Sequence, residues 1–288
     1  MPLSPGHVLN NRYRIVRLLG QGGFGAVYRA WDINLELPCA LKENTETSSA
    51  AGKQFLREAQ ILHTLRHPNL PLVKDHFIIP DQGQYLVMDF IDGKDLQEKI
   101  AAETIPVAQA VSWVVQICEA LEYMHTQTPA VIHRDIKPAN IKITPAGKAV
   151  LVDFGIAKVF DAKSRTTAGA RAITAGYSPF EQYGSAPTDA RTDIYALGAT
   201  LYALLTGQEP VESIARVAGT ALTPPSQLNP EVSPALEQAL LTALRVMPVD
   251  RYQTATEFKA ALLEALAELA PVVAPPASAV RQADGVAQ

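Results

Sequence analysis

Two short runs of this chain hold residue types that could move a proton and grip a metal: His133-Arg134-Asp135-Ile136-Lys137-Pro138-Ala139-Asn140, and then Asp153-Phe154-Gly155. Between them lie Ile141-Lys142-Ile143, a Pro145-Ala146-Gly147 turn and the strand-like Ala149-Val150-Leu151-Val152. Apolar runs of that length around a turn predict a β-hairpin. The hairpin carries Asp153 back beside Asn140, so that an amide oxygen and a carboxylate face one space. That pair suits Mg²⁺ holding a polyphosphate. Asp135, five residues before Asn140, is left to take the proton of an incoming hydroxyl. Either short motif alone is cheap and reads as a surface turn. Both together, in this order and with Asn140 between them, point to a site.

On these residues the chain resembles the eukaryotic-like (Hanks-type) protein kinases and, within them, the bacterial serine/threonine branch. The resemblance runs from about residue 10 to residue 268. It implies an α+β bilobal fold, with a small antiparallel-sheet N-lobe carrying one main helix and a larger, mostly helical C-lobe. It also implies ATP as phosphoryl donor, Mg²⁺ on Asn140 and Asp153, and protein Ser/Thr hydroxyls as acceptors, with Asp135 as base. Lys137 lies in the K-P-x-N form that marks Ser/Thr specificity in this family, and would neutralise charge on the transferring γ-phosphate.

The elements that must position these residues follow from hydrophobic periodicity. Residues 13–19, 26–32 and 37–42 read as strands, 51–65 as a helix stopped by His67-Pro68-Asn69, and 73–79 and 84–90 as two more strands. Their sum is a five-stranded sheet with one helix. After Gly93 the pattern turns helical, at 94–102, 107–125, 192–205, 234–244 and 255–270. The expected division is an N-lobe over residues 1–91, a C-lobe over 92–270 and a Pro/Ala-rich disordered tail or linker over 271–288. No internal repeat is visible.

Gly20-Gln21-Gly22-Gly23-Phe24-Gly25 matches G-x-G-x-x-G, a string that dinucleotide-binding folds also use. A dinucleotide site needs a helix directly after the glycines, whereas Ala26-Val27-Tyr28-Arg29-Ala30-Trp31 alternates like a strand. The loop is therefore a hairpin tip whose backbone N–H groups can approach phosphates. The resemblance places Leu19 and Ala26 at the nucleotide as well, with Val27 and Ala40 over the adenine face. Lys42 would reach the α- and β-phosphates and pair with Glu58 on the helix; Glu43 and Glu46 are nearer in sequence but are assigned to a loop. Met88 would be the gatekeeper, the backbone of Asp89 and Ile91 would meet the adenine edge, and Asp95 would reach the ribose. Lys142 departs from the family, which has an apolar residue under the adenine; its stem could form the floor with the amine turned outward.

Residues 155–181 would form the activation segment. Ser178-Pro179-Phe180-Glu181 resembles its closing motif, with Glu181 paired to Arg251. Asp193 and Gly198 match the D-x-x-x-x-G helix start, where Asp193 holds the catalytic loop. Thr174 fits the threonine that contacts Asp135, although Ile173 stands where glycine is usual. Ser164, Thr166 and Thr167 lie among Lys163, Arg165 and Arg171. A phosphate there would order the segment next to the fixed charge of Arg134, so activation by autophosphorylation, with transient pairing of two copies, is expected.

Composition excludes several other classes. The chain is 48% hydrophobic and 19% charged with a net charge of −4 and no basic stripe, which argues against a nucleic-acid surface. Cys39 and Cys118 make no metal spacing and fit a reducing cytosol. His7, His63, His67, His76 and His125 read as surface or packing residues. No signal-like segment opens the chain, and the longest apolar stretch, 194–205, is too short for a membrane span. A cytoplasmic location is expected, at the membrane face if the chain belongs to a longer protein. Two rivals remain: a nucleotide-binding scaffold without turnover, against which stands the full set of catalytic residues, and a small-molecule kinase, which lacks the Glu181–Arg251 arrangement.

Overall fold

Residues 2–22, 25–45, 49–80, 82–153, 173–184 and 187–269 are described by a computed structural model, with backbone alone at 22, 49–51, 53, 54, 58 and 269. The first part is an antiparallel sheet of β1 (Val8–Leu9), β2 (Tyr13–Gly22), β3 (Gly25–Asp32), β4 (Leu37–Asn44), β5 (Val73–Ile79) and β6 (Gly83–Asp89), in the order β1-β2-β3-β4-β6-β5. Helix α1 (Ser49–Thr64) connects β4 to β5. The sheet has six strands where periodicity predicts five. The extra strand, β1, is a two-residue pairing of Val8 with Arg14 and Leu9 with Tyr13, too short for alternation to reveal.

Period-two geometry gives this sheet two working faces. One carries Val27 opposite Lys42 and Ala40 opposite Met88. The other buries Tyr28, Leu41, Tyr85 and Val87 in a core of its own. Glu43 belongs to that second face. It lies in β4 rather than in a loop, buried, and its carboxylate accepts from Tyr28 Oη (2.9 Å) and Tyr85 Oη (3.1 Å). The β2–β3 hairpin keeps its pairing up to Gly22 opposite Gly25, which makes the glycine motif the tip of a ladder. Gly25 is required there: its φ is 154°, and a Cβ would sit 1.8 Å from the Glu43 carbonyl oxygen.

Beyond the sheet the chain is mostly helical. A small sheet of β7 (Lys94–Asp95), β8 (Ile141–Ile143) and β9 (Ala149–Leu151) sits among α2 (Leu96–Ala102), α3 (Val107–His125), α4 (Phe180–Tyr183), α5 (Ala190–Thr206), α6 (Ser213–Val217), α7 (Pro225–Leu228), α8 (Pro234–Ala243) and α9 (Ala255–Leu269). Helix α5 starts where the Asp189 side chain accepts from Arg191 N (2.9 Å) and stops at Gly207 in the left-handed conformation. Its residues from Thr192 to Leu205 are buried on all sides, and α3, α8 and α9 pack around it. Side chains such as Leu197, Leu201, Phe258 and Leu262 are 4% exposed or less, each contributing about 1.5–3 kcal/mol by leaving water. Met88 and Leu86 of β6 and Phe55 of α1 join this same core, which therefore runs from the sheet into the helical part. Among the described residues no helix is long and apolar enough to cross a membrane.

Candidate active site

The hairpin expected between Asn140 and Asp153 forms as β8 and β9, with Ile141 opposite Leu151. Val152 N donates to Asn140 O (2.8 Å), which sets Asp153 beside Asn140. Contacts from outside the hairpin hold it, among them Trp113 Nε1 on Gly147 O (3.2 Å), Asn69 Nδ2 on Ala149 O (2.6 Å), Leu151 N on Asn69 O (2.9 Å) and Ala149 N on Gln116 Oε1 (3.0 Å). Asn69, which the sequence pattern treats as a helix stop, is thus a buried clamp on the catalytic hairpin.

Asp135 sits in a cage of donors. Thr174 Oγ1 donates to its Oδ1 at 3.0 Å, while Asn140 Nδ2 (2.9 Å) and Lys137 Nζ (3.0 Å) meet its Oδ2. Lys137 Nζ also donates to Thr174 Oγ1 (3.2 Å). Thr174 therefore reaches Asp135 as expected, despite Ile173 before it. The loop beneath is fixed by Asp193, wholly buried in α5, which accepts from His133 N and Arg134 N at 2.8 Å each. Arg134 has φ 67°, a conformation that costs a non-glycine residue roughly 1–3 kcal/mol and persists only when its surroundings enforce it.

His125, read from sequence as a surface or packing residue, is part of this support. Its Nε2 lies 2.9 Å from Asp193 Oδ2. Burial acts to raise the Asp193 acid, but the hydrogen bond and charge of His125, with the backbone of Arg134, outweigh it and hold the group below the usual carboxylate range. Burial keeps the His133 imidazole below the usual histidine range, against the pull of Asp193, Asp135 and Asp153.

Lys42 reaches across from β4 to Asp153, Nζ to Oδ1 at 2.6 Å. Burial would raise the Asp153 acid; the Lys42 charge and hydrogen bond overcome it and hold the acid low. Glu58 falls within α1, and its side chain lies outside the described residues, as do Gly23, Phe24, Ser164, Thr166 and Thr167. Asn140 spends its amide hydrogens on the carbonyl and carboxylate of Asp135, which turns its Oδ1 free of that task. With Asp153 it supplies two hard oxygen donors of low total charge. Among the described residues no group of three or more His, Cys, Asp or Glu could hold a metal. The pair fits Mg²⁺ arriving with phosphates, which needs only one or two protein oxygens, and does not fit a cation held by protein alone.

The residues expected at a nucleotide lie on neighbouring strands. Leu19, Gly20 and Gln21 lie on β2, Ala26 and Val27 on β3, and Ala40 and Lys42 on β4. Met88 is buried opposite Ala40. Asp89 N donates to Leu72 O (3.0 Å), and its carboxylate accepts from Leu72 N (3.1 Å) and Lys74 (2.7 Å); Ile91 follows outside the sheet. Asp95 has a task the sequence did not disclose: its Oδ1 accepts from Glu98 N (2.8 Å) and caps α2. Lys142 lies opposite Asp95 across the β7–β8 ladder, and its amine donates to Gly93 O (3.1 Å) instead of running out to water. Gly93 itself lies tight against the β8 backbone, with φ 128° and a Cβ there falling 2.0 Å from Ile143 O.

Glu181 and Arg251 meet as expected. Nη1–Oε1 is 2.7 Å and Nη2–Oε2 is 3.0 Å, with both side chains almost fully buried. The neighbouring Gln182, which no motif singled out, donates from Nε2 to Arg134 O at 2.8 Å.

Known proteins with this arrangement are numerous. Serine/threonine-protein kinase PknB of Mycobacterium leprae is 36% identical over 274 residues, which is 90% of this chain and 44% of that protein. PknJ of Mycobacterium tuberculosis is 35% identical, covering 92% of this chain and 47% of that protein. The chain thus spans less than half the length of these curated relatives. The crystal structure of the Mycobacterium tuberculosis PknI kinase domain overlays with a TM-score of 0.71 at 28% identity, covering 92% of this chain and 100% of that one. The family profile described as protein kinase domain matches residues 13–261, from the start of β2 into α9. A match of that extent, on a bilobal fold shared with a solved kinase domain, means that this chain belongs to the protein kinase family, on its bacterial serine/threonine branch.

Proposed function

We propose that the chain is a protein serine/threonine kinase that transfers the γ-phosphoryl group of ATP to protein hydroxyls. Residues 1–91 and 92–270 act as the two lobes around the nucleotide, and 271–288 as a tail. The observation that carries the reading is the Asp135 carboxylate, fixed by Thr174, Asn140 and Lys137 at 3.0 Å or less. A carboxylate so held is aimed rather than merely present. It orients the acceptor hydroxyl and takes its proton, while Lys137 stands beside the charge that develops on the phosphoryl oxygens. Lys42 sets the α- and β-phosphates, with Glu58 as its partner on α1. The β2–β3 tip covers the phosphates with backbone N–H groups. Asn140 and Asp153 would hold Mg²⁺, which would supply charge neutralisation at the phosphates. Positioning and electrostatics provide the rate, since phosphoryl transfer asks little covalent chemistry of the protein. Activity rises with autophosphorylation between Ser164 and Thr167, two copies meeting for that step, at a cytoplasmic location.

The test is transfer from labelled ATP to a generic acceptor protein with Mg²⁺. Asp135→Asn should abolish transfer while ATP still binds, because Asp135 meets the hydroxyl and not the nucleotide. Turnover within about tenfold of wild type would sink the assignment.

A further inference from the structure

Helix α4 is a single turn, and its two buried polar residues face different ways. Glu181 is locked to Arg251 and also accepts from Thr192 Oγ1 (3.2 Å). Gln182, 4% exposed, turns to the catalytic loop and donates to Arg134 O at 2.8 Å. That carbonyl belongs to the peptide linking Arg134 to Asp135. The other side of the same residue, Arg134 N, is held by Asp193 Oδ1 at 2.8 Å. Arg134 is thus clamped in its left-handed conformation (φ 67°) from both ends, by α5 at the nitrogen and by α4 at the carbonyl. The plane of the next peptide sets the direction of the Asp135 Cα–Cβ bond. Letting that plane turn would swing the carboxylate off Thr174 and Asn140.

We propose that Gln182 is a positioning residue for phosphoryl transfer: its amide fixes the Arg134–Asp135 peptide and so aims Asp135, tying the seated α4 turn to the base. This rests on the reading of Asp135 as base. It gives α4 a role beyond anchoring. The grip of Arg251 on Glu181 seats the turn, and the adjoining side chain passes that seating, through the Arg134 carbonyl 48 residues earlier in the chain, to the reacting carboxylate.

Steady-state kinetics of the full chain with ATP, Mg²⁺ and a generic acceptor test it. Gln182→Met keeps the length but removes the donor. It should lower kcat about 10- to 100-fold while leaving KM and Kd for ATP within about twofold, the signature of misplaced reacting groups. Gln182→His, which can still donate, should retain more activity than Gln182→Met. Gln182→Glu is nearly isosteric, and serves if the Met variant does not fold. Its carboxyl donates only when protonated, and burial raises that acid. Its kcat relative to wild type should therefore climb as pH falls from about 8 to about 5.5. A merely structural role predicts a flat ratio. Wild-type kcat in the folded Met variant, a flat Glu ratio, or parallel loss of ATP affinity and kcat each overturns the inference. Asp135→Asn is run alongside. If it retains turnover, the base reading itself fails; if it is dead and the Gln182 variants match wild type, only the role of Gln182 fails.

Discussion

Breaking the Glu181–Arg251 pair should destabilise the protein unequally from its two ends. Arg251 makes more than an ion pair. Besides Glu181 it donates to Arg245 O (2.7 Å), Val246 O (2.7 Å) and Arg191 O (3.0 Å), and its guanidinium lies 4.8 Å from the Tyr195 ring centroid. Removing one partner of a buried pair costs about 3–5 kcal/mol. Glu181→Ala leaves the cation with three carbonyls and a ring, so its cost should lie near 3 kcal/mol. Arg251→Met takes the cation from the carboxylate and a donor from three part-buried carbonyls; with up to roughly 1–3 kcal/mol for a lost donor, about 5 kcal/mol or more is expected. For a domain of this size each kcal/mol lowers Tm by about 2–4 °C. The two variants should then fall by about 6–12 °C and about 10–20 °C. Against a total stability of about 5–15 kcal/mol, Arg251→Met approaches the unfolding threshold. Glu181→Leu combined with Arg251→Met should fall between Arg251→Met and wild type, because removing the acid relieves the stranded charge while the carbonyls still lack the guanidinium. Urea titrations followed by far-ultraviolet circular dichroism measure all four proteins. A larger loss from Glu181→Ala than from Arg251→Met, or recovery of wild-type stability in the double variant, would refute this reasoning.

Lys42→Met should lower kcat/KM by about 100-fold or more, and adding Glu58→Ala should cost little further, since paired residues act as a unit; additive losses would assign Lys42 another partner. Lys142→Leu should leave kcat intact and lower KM for ATP about two- to fivefold, roughly 0.4–1 kcal/mol, because an apolar floor replaces an amine tied to Gly93; a large loss of kcat would give that amine a role in the reaction. Thr166→Ala with Thr167→Ala should lower transfer to other substrates without changing ATP affinity, and a wild-type rate would remove the proposed control. Stability should begin to fall as pH drops below about 6.5, where the histidines held low by burial, His67, His76 and His133, must charge, and fall further below about pH 4. Asp32, Asp189 and Asp193 have acids held low by their partners against the opposing effect of burial, so each adds stability above the ordinary carboxylate value that is lost as pH drops through its lower folded value; urea titrations that show greater stability at pH 3 than at pH 5 would contradict this.

Much of the site was legible from spacing, because its central parts are local. Asp135, Asn140 and Asp153 fall within one loop and one hairpin, and alternation around the Pro145-Ala146-Gly147 turn is enough to bring the last two together. The strand character of Ala26–Trp31 likewise distinguished a hairpin from the strand-to-helix turn of a dinucleotide site, and the β2–β3 ladder is the outcome. Glu181, Asp193 and Arg251 were legible for a different reason, as motif positions whose partners the resemblance supplied.

What the sequence left silent has the form of single polar contacts between distant segments. His125 and Asp193 are 68 residues apart, Asn69 and Ala149 are 80 apart, and Gln182 and Arg134 are 48 apart. Periodicity reports which face of a helix or strand is apolar, and therefore which residues leave water. It carries no information about which buried amide will meet which buried carbonyl. Glu43 shows the limit most plainly: in sequence it is an acid beside Lys42, and only the strand register puts Tyr85 opposite it and Tyr28 diagonal to it and makes it an interior residue. Local spacing therefore determined the reacting groups, while the packing of α3, α4 and α5 around residues 133–135 decided how those groups are aimed, because a buried hydrogen bond is satisfied by whatever the tertiary fold brings within about 3 Å.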